Sequence, residues 1–320
     1  MRRSVYILSA LMVLVGCTID HPVVYDPELR MLFLPEVYSN GGDDDQAHYP
    51  DDQSFAICAW ASGKELFPLS RAYSQEVVLA DSTRKIPVTD TLWAFDQDVK
   101  WPGKDEKVSF TAYSPYEVEC EVTKEEGVLW STDVLEEQTD LLYSHAEIDR
   151  SKNVDGNVAH ICFSHALCRI GFRVKNRVDN TGATDQLNRP DKITVKSIVI
   201  DGVKHKGTFR SLPSAEWTLQ EDKAPLTIFE GAYLTSGVPE EIGTIWLMVP
   251  QKLETTITVV FDYTTFANTT ITQKIKTVPM TAGLSSGGDY TYTLSVGIDD
   301  VKFLHELLDK DEQEEENKDE

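Results

Sequence analysis

The sequence has few cysteines, and no two of them have CxxC spacing. Its five cysteines and seven histidines never approach the spacing of a zinc-ligand set. This excludes a sequence-encoded zinc site or thioredoxin-like redox motif, and we expect no cofactor and no bound metal. Basic residues are also scarce, at 30 Lys and Arg against 53 Asp and Glu. Because such a surface repels phosphate backbones, we expect no nucleic acid among the partners.

No apolar run reaches the roughly 20 residues that a transmembrane helix needs. The strongest run, Val5 to Val15, is shorter and follows two basic residues, Arg2 and Arg3. A basic start followed by a short apolar stretch is typical of a secretory signal rather than of a membrane span. The sequence therefore predicts export from the cytoplasm.

Cys17 directly follows this run, and the residues before it are Leu14, Val15 and Gly16. Together they resemble a bacterial lipobox, in which the signal is removed before the cysteine and the thiol is acylated. Each buried lipid CH₂ contributes about 0.8 kcal/mol, so two or more chains anchor a protein stably. We predict residues 1–16 as signal peptide, a lipid on Cys17 as the contact with the membrane, and residues 17–30 as a linker. The alternative is a soluble periplasmic protein with a free thiol.

Helical periodicity is scarce as well, whereas strand patterns are abundant. The segment "DYTYTLSVGI" alternates apolar and polar residues from Asp289 to Ile298. "TTITVVFDY" and "ITQKIKTV" alternate in the same way and are separated by a short polar stretch, which predicts a hairpin. Many short strands with Gly, Asn, Asp and Pro between them predict an all-β fold built of sandwiches.

A polar, turn-rich segment from Glu147 to Asn157 is the best domain boundary. It divides the chain into an N-terminal sandwich over residues 31–150 and a C-terminal sandwich over residues 158–298. Residues 299–320 form an acidic tail. Since Val301, Leu304 and Leu308 share helical spacing, we predict a short helix there, followed by disorder.

One motif invites an enzymatic interpretation. Residues 283–287, "GLSSG", match the G-x-S-x-G pattern, with Ser285 at the nucleophile position. A nucleophile elbow needs a helix after it, but here a strand pattern follows. We interpret the segment as a hairpin loop and predict that the protein is not an enzyme. His165 is likewise predicted to be a packed, hydrogen-bonded residue rather than a catalytic base.

The remaining cysteines and the tryptophans are predicted to serve the core. Cysteines 58, 120, 162 and 168 are interpreted as buried small hydrophobes, with a Cys58–Cys120 disulfide as the alternative. Most of the six tryptophans lie in or near apolar runs. A glycan-binding surface lipoprotein of a nutrient-uptake system would instead present a row of exposed aromatics, and that function is kept as the alternative.

Five segments, in order, resemble the Bacteroidetes fimbrillin family, the Mfa-like and FimA-like pilus proteins. They are Val108–Tyr116 ("VSFTAYSPY"), Glu136–Ala146 ("EEQTDLLYSHA"), Phe163–Val174 ("FSHALCRIGFRV"), Trp246–Gln251 ("WLMVPQ") and Gly287–Val296 ("GGDYTYTLSV"). The resemblance implies two tandem transthyretin-like Greek-key β-sandwich domains and a structural or adhesive role in fimbriae on the outer membrane. Implied partners are other fimbrial subunits, with a host or bacterial surface ligand as a further candidate.

The resemblance also implies assembly by strand exchange, in which an arginine-directed protease removes the first strand and a neighbour's strand fills the groove. The candidate first strand begins with Arg30, Met31, Leu32, Phe33 and Leu34 and continues to Val37. Met31, Phe33 and Val37 are predicted on one face, and Leu32 and Leu34 on the other.

Arg30 is the candidate protease site, but it precedes this strand. No Arg or Lys occurs between Tyr38 and Ser62 to release the strand from its other end. A cut at Arg30 would free the lipid and leave the groove closed. We therefore expect an anchor or accessory subunit rather than a polymerising stalk subunit.

Overall fold

The computed structural model describes residues 23–24, 30–38, 46–79, 88–96, 99–102, 107–149, 158–177, 190–265 and 267–306. Every regular element in these ranges is a β-strand, which confirms the predicted all-β class. No helix of the described ranges is long and apolar enough to cross a membrane.

The strands are β1 (Val23–Val24), β2 (Leu32–Tyr38), β3 (Gln46–His48), β4 (Phe55–Ala61), β5 (Lys64–Leu79), β6 (Val88–Ala94), β7 (Lys107–Ser114), β8 (Glu121–Thr123), β9 (Gly127–Asp133), β10 (Leu142–Asp149), β11 (Val158–His165), β12 (Cys168–Asn176), β13 (Pro190–Lys204), β14 (Lys206–Arg210), β15 (Glu216–Leu219), β16 (Lys223–Leu234), β17 (Glu240–Met248), β18 (Lys252–Thr265), β19 (Thr270–Gly283), β20 (Asp289–Val296) and β21 (Val301–Glu306).

Nine strands of the N-terminal part form a sheet that closes on itself. β5, β4, β7, β10 and β11 are antiparallel neighbours, and β11 continues into a parallel pair with β2. β6 pairs with both β2 and β5 and so completes the ring, while β1 and β3 add to its sides. The enclosed cluster is rich in aromatic rings, including Phe33, Phe55, Phe110 and Phe163.

The C-terminal part packs two four-stranded sheets face to face. One has the order β17-β12-β20-β21 and the other β16-β13-β18-β19. Residues such as Ile170 and Phe172 of the first sheet and Ile198 and Ile257 of the second share one core cluster. β18 and β19 pair antiparallel along their length, so the predicted hairpin is confirmed.

A third four-stranded sheet combines strands from both parts of the chain. Its order is β15-β14-β9-β8, with Phe209 of β14 opposite Trp130 of β9. Trp130 meets Trp217 edge to face at 5.8 Å between ring centroids. Val128, Trp130, Val134 and Leu141 all belong to the C-terminal core cluster. The two halves are therefore joined by backbone pairing and by a shared apolar core.

The predicted division into residues 31–150 and 158–298 does not match these cores. β11, which it assigns to the second sandwich, pairs with β2 and β10, and its Phe163 lies in the first core. From Ala166 onward, the buried residues that follow β11 belong to the second core. The polar segment before β11 separates two strands that pair with each other, and local polarity alone does not distinguish such a connection from a domain linker.

The predicted helix in the tail is wrong over the part that the structure describes. Residues 301–306 form strand β21, antiparallel to β20. Val301 and Phe303 alternate onto the core, with Phe303 5.1 Å from Tyr292 between ring centroids. Backbone partners on β20 outweigh the helical spacing of Val301 and Leu304. Leu308 and the rest of the tail lie outside the described residues.

We predict that a fragment beginning at residue 158 will not fold by itself. It lacks strands β8 and β9, and it also lacks Val128, Trp130, Val134 and Leu141, which belong to the second core. Circular dichroism should find no cooperative unfolding transition. The variant Trp130→Ala in the full chain should lose about 3–5 kcal/mol of unfolding free energy. Cooperative melting of the fragment near the full-chain temperature would contradict this coupling.

Candidate strand-exchange site

The candidate first strand is β2, and its two faces are buried in different clusters. Met31, Phe33 and Val37 point into the aromatic N-terminal core. Leu32 packs with Leu92, Ala94 and Val158 on the opposite side, and Leu34 joins them. Both faces of the strand are therefore covered, as the alternation of apolar residues predicts.

Backbone pairing holds β2 on both edges. β11 runs parallel to it from Leu32↔Val158 to Val37↔Phe163. On the other edge β3 pairs with the last residues of β2, and β6 pairs at Phe33↔Trp93. The amide of Met31 also donates to the carbonyl of Val99 at 2.8 Å. β2 is thus an interior strand of the sheet.

Aromatic packing concentrates on Phe33. Its ring makes edge contacts with Phe55, Phe95 and Phe110 at centroid distances of 6.1, 5.3 and 6.0 Å. Burying each large apolar side chain contributes about 1.5–3 kcal/mol, so Met31, Leu32, Phe33 and Val37 together contribute on the order of 10 kcal/mol. Removal of β2 would open an apolar groove along β11.

Arg30 stands half-buried at the start of this strand. Its guanidinium donates to the carbonyl of Phe95 at 2.9 Å. A protease would have to loosen this contact to reach the bond after Arg30. The lipobox residues Leu14, Val15 and Gly16, and Cys17 itself, lie outside the described residues. Within the predicted linker, residues 23–24 form β1 and pair parallel with residues 77–78 of β5.

At the other end of the described chain, β21 forms an edge of its sheet. It pairs with β20 from Val296↔Val301 to Thr291↔Glu306, and no other strand of the described ranges pairs with it. A tight turn connects the two strands, in which Gly297 N–H donates to Asp300 O at 2.9 Å. Arg177 forms an ion pair with Asp300 and holds this turn.

The four cysteines of the described residues are free thiols, so the alternative Cys58–Cys120 disulfide is absent. Cys58 and Cys168 are buried as predicted, and each thiol faces a backbone carbonyl, at 3.6 Å and 3.2 Å respectively. Cys120 and Cys162 are only half-buried. Burial raises the pKa of Cys58, Cys120 and Cys168 to about 12, which keeps these thiols protonated.

Two histidines bind carboxylates in structural positions. His165 Nδ1 lies 2.9 Å from an Asp140 oxygen, in line with the predicted packed role. His205, which the sequence did not single out, is buried with Nδ1 2.7 Å from Asp133. Burial by itself would raise the pKa of Asp133, but hydrogen bonds from His205 and the Leu135 amide lower it overall. The cluster ties β9 to the turn before β14.

The "GLSSG" segment does not form a nucleophile elbow. It connects β19 to β20, which belong to different sheets, so the predicted hairpin loop is also wrong. A strand follows it, and the amide of Ser285 donates to the Tyr290 hydroxyl at 3.0 Å. In the part of the chain that the structure describes, no group of three or more His, Cys, Asp or Glu could hold a metal ion.

The tryptophans form no exposed row. Trp93, Trp101 and Trp130 are buried, and the other three are half-buried. The stacking platform expected of a glycan-binding protein therefore finds no support in these six side chains. The aromatic residues instead fill the cores and the sheet shared by the two halves.

Comparisons with known proteins support a fimbrial relationship. The family model described as Fimbrillin-like matches residues 46–306. A candidate cell adhesion protein from Bacteroides ovatus aligns with a TM-score of 0.52 at 13% identity, covering 87% of this chain and 96% of that one. A second, from Bacteroides uniformis, aligns with a TM-score of 0.52 at 14% identity, covering 88% and 98%.

The fimbrial anchor protein Mfa2 from Porphyromonas gingivalis is a more distant likeness. It aligns with a TM-score of 0.33 at 12% identity, covering 83% of this chain and 90% of that one, and carries no structural argument. No curated protein matches the sequence. Since the family model spans most of the chain, the protein belongs to the Fimbrillin-like family.

Proposed function

We propose that this chain is a lipid-anchored fimbrial subunit of the outer membrane that keeps its first strand and acts as an anchor or accessory subunit. The observation that carries the proposal is the position of β2, which is paired on both edges and buried on both faces. The only candidate cleavage site near it, Arg30, precedes the strand.

An acceptor groove requires that β2 leave the sheet. A cut after Arg30 would leave residues 31–38 attached to the rest of the chain, and no Arg or Lys follows until Lys64. The buried strand would then refill its own place, because its apolar contacts and its ladder with β11 are intramolecular. The subunit would therefore give a strand to a neighbour rather than receive one.

β21 is the strand best suited to be given. It is short, lies at a sheet edge, and alternates core-facing Val301 and Phe303 with outward Lys302 and Leu304. The side chains of Val301 and Phe303 could fill the pockets of a neighbour's groove, while the backbone of β21 forms hydrogen bonds with the strands that line the groove. Exchange would break the backbone hydrogen bonds between β21 and β20, and new backbone hydrogen bonds between β21 and the neighbour's groove would replace them.

The lipid anchor predicts that the mature chain begins at Cys17. Expression in a bacterium with lipoprotein processing should give a membrane-bound protein that incorporates labelled palmitate. Cys17→Ser should abolish both labelling and membrane retention, whereas Cys162→Ser, the control, should leave them unchanged. Mass spectrometry that found the chain to start after residue 38 would contradict the anchor role and favour a processed stalk subunit.

Retention of β2 predicts that Phe33→Ala will lower the unfolding free energy of the mature protein by about 3–5 kcal/mol, because a large side chain leaves the core. Urea denaturation of protein recovered from the outer membrane measures this. Tyr38→Ala, on the same strand but 41% exposed, should cost about 1 kcal/mol or less. Equal stability of Phe33→Ala and the parent would mean that β2 is absent from the mature form.

Donation of β21 predicts that a disulfide across β20–β21 will block assembly. Thr293 and Leu304 are Cα partners, so the double variant Thr293→Cys and Leu304→Cys should lock the strand when oxidised. The oxidised form should give few fimbriae by electron microscopy, and a reductant should restore them. The matched control, Thr258→Cys and Thr277→Cys across β18–β19, should assemble normally. Normal assembly by the locked variant would refute donation.

A further inference from the structure

The outward side of β12, β20 and β21 carries an unusual charge. Cross-strand pairing aligns Arg173 with Thr293 and Leu304, and Lys175 with Ser295 and Lys302. These positions alternate with the core residues of the same strands, so they share the face opposite the core, which we call the outer face. It gathers cations in a chain whose net charge is −23.

Two of these cations are paired with carboxylates. Arg173 lies 3.8 Å from Glu241 on β17, and Arg169, further along β12, lies 3.4 Å from Asp289. Within the described residues, Lys175 and Lys302 form no ion pair. Position 306 of β21, a glutamate, shares this face through its pairing with Thr291. The outer face therefore has four basic and three acidic residues, and its unpaired positive charges are those of Lys175 and Lys302.

Two hydroxyl groups lie between the cations. Thr293 is 0% exposed and Ser295 4% exposed, although both occupy outward positions of β20. Thr293 Oγ1 has no hydrogen-bond partner among the described residues. A buried hydroxyl without a partner is unfavourable by a few kcal/mol or less, and a carboxylate could accept its hydrogen bond only after a covering side chain, such as that of Arg173, moved aside.

We propose that the outer face binds the acidic end of its own chain, residues 307–320. This segment holds eight acidic and two basic residues, so its charge is complementary to the outer face. It leaves β21 at Glu306, which is paired with Thr291, two residues from Thr293 on the same side of β20. Extended chain reaches about 3.3 Å per residue, so even the first acidic residues, Asp309 and Asp311, come within range.

Docking of residues 307–320 would clamp the β20–β21 hairpin from outside. β21 has a paired strand on one edge only, and carboxylates bound to Lys302 on β21 and to Arg173 and Lys175 on β12 would tie these strands together. The tail thereby acts as a latch that holds the terminal strand of the fold in its own sheet. The latch does not rest on the proposed function, and the tail would have to leave the outer face before β21 could be given to a neighbour.

The test uses the full chain with a neutral tail, in which the eight acidic residues of 307–320 become Asn or Gln. A fluorescent peptide of sequence 307–320 should bind the neutral-tail protein by anisotropy, because its outer face is vacant. Binding should weaken by about tenfold or more as NaCl rises from about 0.05 M to about 0.5 M. The peptide should bind the unmodified chain at least about tenfold more weakly, because the tail competes in cis.

Charge-reversal variants identify the surface. Lys175→Glu with Lys302→Glu in the neutral-tail protein should abolish peptide binding, whereas Lys274→Glu with Lys276→Glu on β19 should preserve it. Unchanged melting temperatures show that the variants remain folded. No binding to the neutral-tail protein, equal binding to both proteins, or binding indifferent to Lys175 and Lys302 would each overturn the proposal. Equal binding would mean an open face that serves an anionic partner or a second copy.

Hydrogen exchange supplies an independent readout on the unmodified sequence. Amides of β21 should exchange about tenfold faster at high salt than at low salt, because release of the tail lets the edge strand open. The neutral-tail protein should exchange fast at both salt concentrations. Exchange in β21 that is equal in both proteins would overturn the latch.

Discussion

The parallel ladder between β2 and β11 is the contact on which the N-terminal sheet depends. It brings the start of the described chain beside its middle and lets β6 close the ring through Phe33 and Trp93. Without it, Phe163 and its neighbours on β11 would face water across an apolar groove. The same two interactions, backbone hydrogen bonds to β11 and burial of apolar side chains, would bind a foreign strand in such a groove and hold the native strand in place.

A second constraint is the sheet made of β8, β9, β14 and β15. Because it takes strands from both halves, the two cores cannot separate without breaking backbone hydrogen bonds between β9 and β14. Trp130 and Trp217 pack this sheet against the C-terminal core, and His205 with Asp133 links the end of β9 to the start of β14, its two central strands.

Sequence reasoning was most successful where the pattern is local. The alternating faces of β2, the β18–β19 hairpin and the use of tryptophan in the cores all follow from two-residue periodicity and hydrophobicity. It failed where the outcome depends on a distant partner. Val301 and Leu304 have helical spacing, yet β20 offers them a sheet edge. "GLSSG" reads as a hairpin loop, yet it connects strands of different sheets.

The sequence by itself determined the all-β class, the acidic character and the two apolar faces of β2, since each depends on composition or on side-chain alternation along one segment. Tertiary structure decided which strands pair. It placed β11 with the first core and built one sheet from both halves. It also surrounded Thr293 with cations from neighbouring strands. Pairing is decided at this level because backbone donors and acceptors are the same in every strand, so only the packing of the whole chain selects among partners.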